Sequence, residues 1–233
     1  MSAPATIHLR PHAEVAERVL VPGDPGRALR LAQQLLDGPK MLNHNRGLWG
    51  YTGPAEDGAP LTIQSTGMGG PSAAIVFEEL IQLGARRIVR VGTCGALAGE
   101  LTLGELVVAD GVLPADGTSR ALGARGVLCP DETLTAALAP DARRAVIVSS
   151  DLFYDPDASR AAEWVEAGAV AVEMEAATLL AVAARHGVAA ACVVAVSDIV
   201  ATRTRIGASE LEAAEVALGR AGLGALRART PAG

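Results

Sequence analysis

Leu61-Thr62-Ile63-Gln64-Ser65-Thr66-Gly67-Met68-Gly69-Gly70-Pro71-Ser72 is the stretch on which the reading of the fold turns. A short strand over residues 61–65 ends in a glycine-rich turn, and a helix follows over residues 71–83. Pro71 suits the opening of that helix, because its fixed φ and missing N–H cost nothing in a first turn. Strand, tight turn and helix recur outward in both directions. Before it come a strand at 18–21 and a helix at 26–36. After it come strands at 87–91, 105–109, 145–148, 169–172 and 190–196, with helices at 131–138, 157–167, 176–186 and 209–227. The strands are short, rich in β-branched residues and bounded by Gly, Pro or Ser, as expected of strands buried on both faces. Gly84 and Gly187 stand where helix C-caps belong. Such alternation predicts an α/β fold, a single-domain three-layer αβα arrangement about a central, largely parallel mixed sheet. Residues 1–233 read as one domain without repeats or a dividing linker, and residues 115–126 read as a surface loop.

Bulk properties narrow the function. Half of the 233 residues are hydrophobic and the formal net charge is -6, without a basic stripe. That balance disfavours nucleic acid and anionic membranes as partners. Cys94, Cys129 and Cys192 are sparse and odd in number, which argues against a disulfide framework or a metal site. Residues 1–11 lack the pattern of a secretory signal, and no run of about 20 apolar residues occurs. The expectation is a cytoplasmic protein with no metal and no cofactor.

In a parallel α/β sheet, ligands bind beyond the carboxyl ends of the strands. The polar groups at those ends are therefore the candidates. In Val21-Pro22-Gly23-Asp24-Pro25-Gly26-Arg27 a strand passes through a turn into a helix N-terminus, which suits an anion. Arg27 is badly placed against that dipole unless an anion compensates; the plainer reading is a solvated side chain. Ser65 to Ser72 resembles a degraded dinucleotide fingerprint, but the acid required about 20 residues later is missing. In Arg90-Val91-Gly92-Thr93-Cys94-Gly95, Arg90 stands among apolar neighbours and needs a partner, either a carboxylate or a bound oxyanion. Glu173 and Glu175 end an apolar strand; they share one face if the strand continues and diverge if a helix starts at Glu175. A carboxylate there suits the vicinal hydroxyls of a ribose, or simply a helix N-terminus. Ser197-Asp198 closes the last strand, and Asp198 reads either as an N-cap or as a general acid whose protonated form burial favours.

These segments, in this order, resemble the bacterial hexameric purine nucleoside phosphorylases and the related uridine phosphorylases. The likeness runs from Ile7-His8 to about Ile199 and includes Asn45-Arg46-Gly47, Gly67-Met68-Gly69, Ser150-Asp151-Leu152-Phe153-Tyr154, Glu173-Met174-Glu175-Ala176 and Val196-Ser197-Asp198. The resemblance implies phosphorolysis of purine nucleosides to free base and (deoxy)ribose 1-phosphate, with inorganic phosphate as co-substrate. It implies that Gly23, Arg27, Arg90 and Thr93 hold phosphate, joined by Arg46 from a neighbouring subunit. His8 from that neighbour would meet the ribose 5′-hydroxyl. Glu175 would bind the 2′- and 3′-hydroxyls, with Glu173, Met174 and Ser197 around the nucleoside. Phe153 would stack on the base, Cys94 and Gly95 would line its pocket, and Asp198 would protonate N7. The implied assembly is a homohexamer, a trimer of dimers, with His8 and Arg46 acting across the dimer interface.

Two departures from the family pattern stand out. The purine enzymes carry a further arginine about a dozen residues after the general acid; that offset falls here on Leu211, leaving Arg203 or Arg205 as substitutes. The stretch 154–163 lacks the glutamine-bearing insertion by which the uridine enzymes read uracil. Uracil also has no N7 for Asp198 to protonate, so purine is favoured. A nucleosidase of the same fold would use water and lack the phosphate arginines, against Arg27 and Arg90. A non-catalytic nucleoside sensor would have no use for Asp198.

Overall fold

The computed structural model describes residues 6–97, 99–157 and 159–227. Residues 1–5, 98, 158 and 228–233 of the expected 1–233 domain lie outside the described residues. The elements run β1 (Arg18–Val21), α1 (Pro25–Leu35), β2 (Lys40–Asn43), a 3-10 turn (Asn45–Gly47), β3 (Gly50–Pro54), β4 (Pro60–Gln64), α2 (Gly70–Gln82) and β5 (Arg87–Ala96). They continue with β6 (Leu106–Pro114), α3 (Gly117–Ala121), α4 (Glu132–Ala137), β7 (Arg143–Ser149), α5 (Arg160–Glu166) and β8 (Ala169–Glu173). The last are α6 (Ala176–His186), β9 (Ala189–Ile199), β10 (Thr204–Arg205) and α7 (Ala208–Arg227).

The strands form one mixed sheet in the order β10-β9-β6-β7-β8-β5-β1-β4-β3-β2, with β5 also paired to β9. Five pairings are parallel, namely β1–β4, β1–β5, β5–β9, β6–β7 and β7–β8. The other five are antiparallel, so the sheet is parallel at its centre and more mixed toward its edges than the alternation of elements predicts. The extra β5–β9 pairing closes β9, β6, β7, β8 and β5 into a ring. β5 makes this possible by its length. Residues 87–90 pair with β1, whereas Gly95 and Ala96 pair with β8. The sheet therefore divides at residues 90–95, which is where the order of an open α/β sheet places a crevice.

Strand alternation sends side chains into two cores. Val19, Val21, Ile88, Cys192 and Val194 pack with Phe77 and Leu80 of α2 and Leu179 of α6. Leu20, Val89, Val91 and Val193 pack with Leu31 of α1 and Leu218 and Leu223 of α7 on the opposite side. This two-sided burial gives the three layers expected from the sequence.

All seven sequence-predicted strands and all six helices form. Three strands were not foreseen. β2 and β3 carry Lys, Asn, Gly and Pro, residues depleted in strands, and they lie at an edge where charge and proline are tolerated. β10 has two residues and no pattern to detect. The expected surface loop at 115–126 is partly wrong. It contains α3, and Asp116 and Ser119 within it are fully buried. Asp116 accepts bonds from Ser119 N at 2.7 Å and from Thr178 Oγ1 of α6 at 3.2 Å. That polar clamp is invisible in a stretch whose composition reads as solvated. Among the described residues no helix is long and apolar enough to cross a membrane.

Candidate active site

The centre of the site is Arg90, 3% exposed, at the point where the sheet divides. Its Nε donates to Glu173 Oε2 at 2.7 Å and its Nη2 meets Glu175 Oε2 at 2.5 Å. Its Nη1 is buried and, among the described residues, has no hydrogen-bond partner. Gly92 makes room for it. A Cβ there would stand 2.7 Å from Nη2 and 2.8 Å from the guanidinium carbon, so only glycine lets the cation lie on the strand. Burial opposes the charge on Arg90, but Glu175 and Glu173 outweigh it and raise its pKa.

The two carboxylates divide their work. β8 stops at Glu173, and Glu175 takes the N-cap position of α6 without bonding to the helix. The side chain that caps the helix is Glu173, which accepts from Glu175 N at 2.8 Å, from Ala176 N at 3.0 Å and from Ser149 Oγ. Both oxygens of Glu173 thus accept bonds within the protein, where it holds Arg90 and the helix. Glu175 accepts from Gly69 N at 2.5 Å. Burial, with Glu173 adding like charge, pushes its carboxyl above the ordinary value despite Arg90 and that amide. The strand-or-helix alternative therefore resolves into divergent backbones whose side chains converge on one guanidinium. Met174 lies between them, half-buried.

Gly23 and Arg27 join this centre from β1 and α1. Gly67 N donates to Gly23 O at 3.1 Å, tying the first turn to the second, which in turn reaches Glu175 through Gly69. The helix N-terminus is not an open anion site, however. Asp24 accepts from Gly26 N at 3.0 Å and Arg27 N at 2.9 Å and caps it. Arg27 is buried rather than solvated, and its Nε donates to Glu215 Oε1 of α7 at 2.9 Å. Arg30 takes the other oxygen of Glu215. Sequence reading missed Glu215, because it lies 188 residues from Arg27 on an ordinary amphipathic helix. Arg27 contributes to the electrostatics of Glu175, so the two arginines share one neighbourhood.

Asp198 stands near the end of β9, beside the carboxyl end of β5. Cys94 pairs with Val196 but Gly95 pairs with Asp198, so Ser197 is a bulged residue. Bulges beside sites re-aim side chains. Here Ser197 Oγ lies 3.2 Å from Cys94 O and 2.8 Å from Asp198 Oδ1. A Cβ on Gly95 would come within 3.1 Å of Asp198 Oδ2, so the glycine admits the carboxylate. Cys94 packs in the α2–α6 core, burial raises its thiol pKa, and its carbonyl accepts from Ser197 Oγ. Thr93 is half-buried on the same strand, opposite Ala195. Phe153 is 57% exposed, with its ring edge-on to Tyr154 and the Arg205 guanidinium 5.8 Å from its centroid.

Among the described residues, His8 and Arg46 make no bond to this cluster; the segments that carry them are instead fastened to each other. Glu79 accepts from the backbone N of Ile7, His8 and Leu9 and sits 2.8 Å from His8 Nδ1, which pins the segment to α2. Burial alone would raise the Glu79 pKa, but these bonds outweigh it and lower the value. Asn45 Nδ2 donates to His8 O at 2.8 Å, so the turn carrying Arg46 is fastened to the same segment. Arg46 is exposed, with φ 58°, and has no ion pair among the described residues.

Comparison with known proteins shows the family. The family model described as "Phosphorylase superfamily" fits residues 17–223. The chain is 37% identical over 219 residues to a DeoD-type purine nucleoside phosphorylase of Roseobacter denitrificans, covering 89% of this chain and 93% of that protein. It is 39% identical over 188 residues to a guanosine phosphorylase of Halorubrum lacusprofundi, with 77% of each covered. Among solved structures, a uridine phosphorylase from Vibrio fischeri aligns with a TM-score of 0.80 at 27% identity, covering 92% of this chain and 91% of that one.

Proposed function

Because the chain belongs to the phosphorylase superfamily, we propose that it cleaves purine nucleosides with inorganic phosphate, releasing the base and (deoxy)ribose 1-phosphate. The observation that carries the reading is the Nη1 of Arg90. A buried guanidinium N–H without an acceptor is costly, and the described residues supply acceptors only for the other two nitrogens. An oxyanion is the acceptor that completes it. A water nucleophile needs no such cation, which disfavours a nucleosidase.

The roles follow from the chemistry. Arg90 and Arg27, with Gly23 N–H and the Thr93 hydroxyl, hold phosphate near C1′. The C1′–N9 bond breaks, its electron pair leaves with the base, and a phosphate oxygen bonds to C1′. Glu175 binds and orients the ribose hydroxyls in place of Gly69 N–H, with Met174 and Ser197 beside the sugar. Asp198 passes a proton to N7, which neutralises the departing base. Phe153 supplies a stacking face. No metal or other cofactor has a step in this scheme. Asp198 also favours purine over uridine, and phosphorolysis of guanosine, inosine or adenosine with uridine left intact is the expected outcome of a substrate panel. Turnover of uridine alone would transfer the reading to the uridine enzymes.

Glu215 should act through Arg27. In Glu215→Gln the charge-assisted bond weakens, and the phosphate KM should rise about tenfold while the nucleoside KM changes little. Equal rises in both constants would show general loosening instead.

The proposal extends to a cytoplasmic homo-oligomer, a trimer of dimers in which His8 and Arg46 complete the neighbour's site. Ile7 and Met68 are 72% and 85% exposed, and Trp49, beside the turn that carries Arg46, is partly exposed, apolar side chains that a partner subunit would cover. Mixing Arg46→Ala with Asp198→Ala under subunit exchange should restore part of the activity, since some dimers then contain one intact site. No recovery after verified exchange would place Arg46 outside the neighbour's site.

A further inference from the structure

Arg205 has no part in the reaction as derived, yet it sits among groups that do. β10 pairs antiparallel with β9, and Arg205 stands directly opposite Asp198. Residues so paired project from the same face, with Cβ atoms about 4.5–5.5 Å apart. Ile206 N donates to Ser197 O at 2.9 Å, which fixes this register beside the bulge. The guanidinium carbon lies 5.8 Å from the centroid of Phe153. Arg205 is exposed and, among the described residues, has no carboxylate partner. A cation is thus held by one aromatic face alone, beside the proton donor and over the stacking residue.

We propose that Arg205 determines base specificity, selecting 6-oxopurine over 6-aminopurine nucleosides; this rests on the purine phosphorolysis reading. On a purine, the substituent at C6 is next to N7 on the same edge. If Asp198 addresses N7, the side chain across the strand pair from it is placed to address position 6. A guanidinium can only donate. The O6 of guanine or hypoxanthine accepts, whereas the N6 amino group of adenine sets donor against donor. Arginine reads the O6 edge of guanine in nucleic acids for the same reason. As the glycosidic bond breaks, negative charge spreads from the imidazole ring to O6, so the contact strengthens toward the transition state. A base stacking on the Phe153 face that the guanidinium now covers would release Arg205 to the base's edge.

The test is kcat/KM for guanosine, inosine, adenosine and 7-methylguanosine in the wild type, Arg205→Gln and Arg205→Lys. β10 is exposed, so the variants should fold. The wild type should favour the 6-oxopurines over adenosine by about tenfold or more, the discrimination one good arginine contact supplies. Arg205→Gln, whose amide both donates and accepts, should lose about ten- to a hundredfold on guanosine and inosine. Adenosine turnover should change little, and Arg205→Lys should keep part of the preference. Phosphorolysis with a purine preference that neither variant alters overturns the role of Arg205 and leaves the function standing. An equal fall on guanosine, inosine and adenosine with 7-methylguanosine spared also overturns it, because Arg205 would then assist Asp198. Absence of phosphate-dependent cleavage of any purine nucleoside overturns the functional reading and this inference together.

Discussion

Arg90→Met is expected to lower kcat/KM for phosphorolysis by about 10²–10³-fold, the scale of losing a preorganised oxyanion donor, and to destabilise the fold by about 3–5 kcal/mol. The second effect arises because Glu173 and Glu175 are both buried and would lose their shared cation. Breaking a buried pair costs far more than the pair contributes, since a charge is left without compensation. The loss should depend on pH. Without Arg90, burial and the like charge of Glu173 hold the Glu175 carboxyl above its ordinary value. A carboxyl raised in this way favours the fold only while protonated. The variant should therefore come closest to the wild type near pH 4 and fall behind as pH rises through the raised value. Urea midpoints at pH 4.5 and pH 8 measure this. Adding Glu173→Gln should return part of the stability and none of the activity. A variant of undiminished stability at pH 8 would mean that the guanidinium does not compensate the two acids.

Asp198→Ala should reduce kcat on guanosine and inosine by about 10²–10⁴-fold, the usual contribution of a positioned general acid. The same variant should keep most of its rate on 7-methylguanosine, whose base already carries positive charge and leaves without a proton. The Ser197 hydroxyl bond and the space over Gly95 hold the Asp198 carboxylate beside the carboxyl end of β5, so alanine removes the donor without disturbing the core. Equal losses on both kinds of substrate would remove the proton from Asp198's role and leave it a structural acid.

The sequence made the central strands and their helices legible because two-sided burial leaves continuous apolar runs, and glycine and proline mark their ends. The β2–β3 edge hairpin and β10 were not legible, because edge strands need no such pattern. Among site residues, Arg90 was recognisable as a charge within an apolar strand. Its two partners were visible as acids, but not that Glu173 caps a helix while Glu175 makes no cap bond and accepts from Gly69 N. Arg27 was read as solvated or anion-bound; the third possibility, Glu215, depends on the packing of α7 against α1 and has no local signature. The role of Ser197 as a bulge also escaped reading, since a one-residue shift in register follows from pairing with β5 and not from the strand's own residues. The closed ring likewise follows from the length of β5, which outruns its apolar core through Gly92 and Gly95.

If Arg90, with Arg27 in its neighbourhood, serves a phosphate nucleophile, cleavage must depend on phosphate. Guanosine or inosine cleavage should be measured in phosphate-free buffer and in millimolar phosphate, with the sugar product identified by phosphorus NMR. The expected result is negligible base release without phosphate and ribose 1-phosphate formed in step with the base when phosphate is present. Base release at an equal rate in both buffers, with free ribose as the product, would contradict the account and identify a hydrolase.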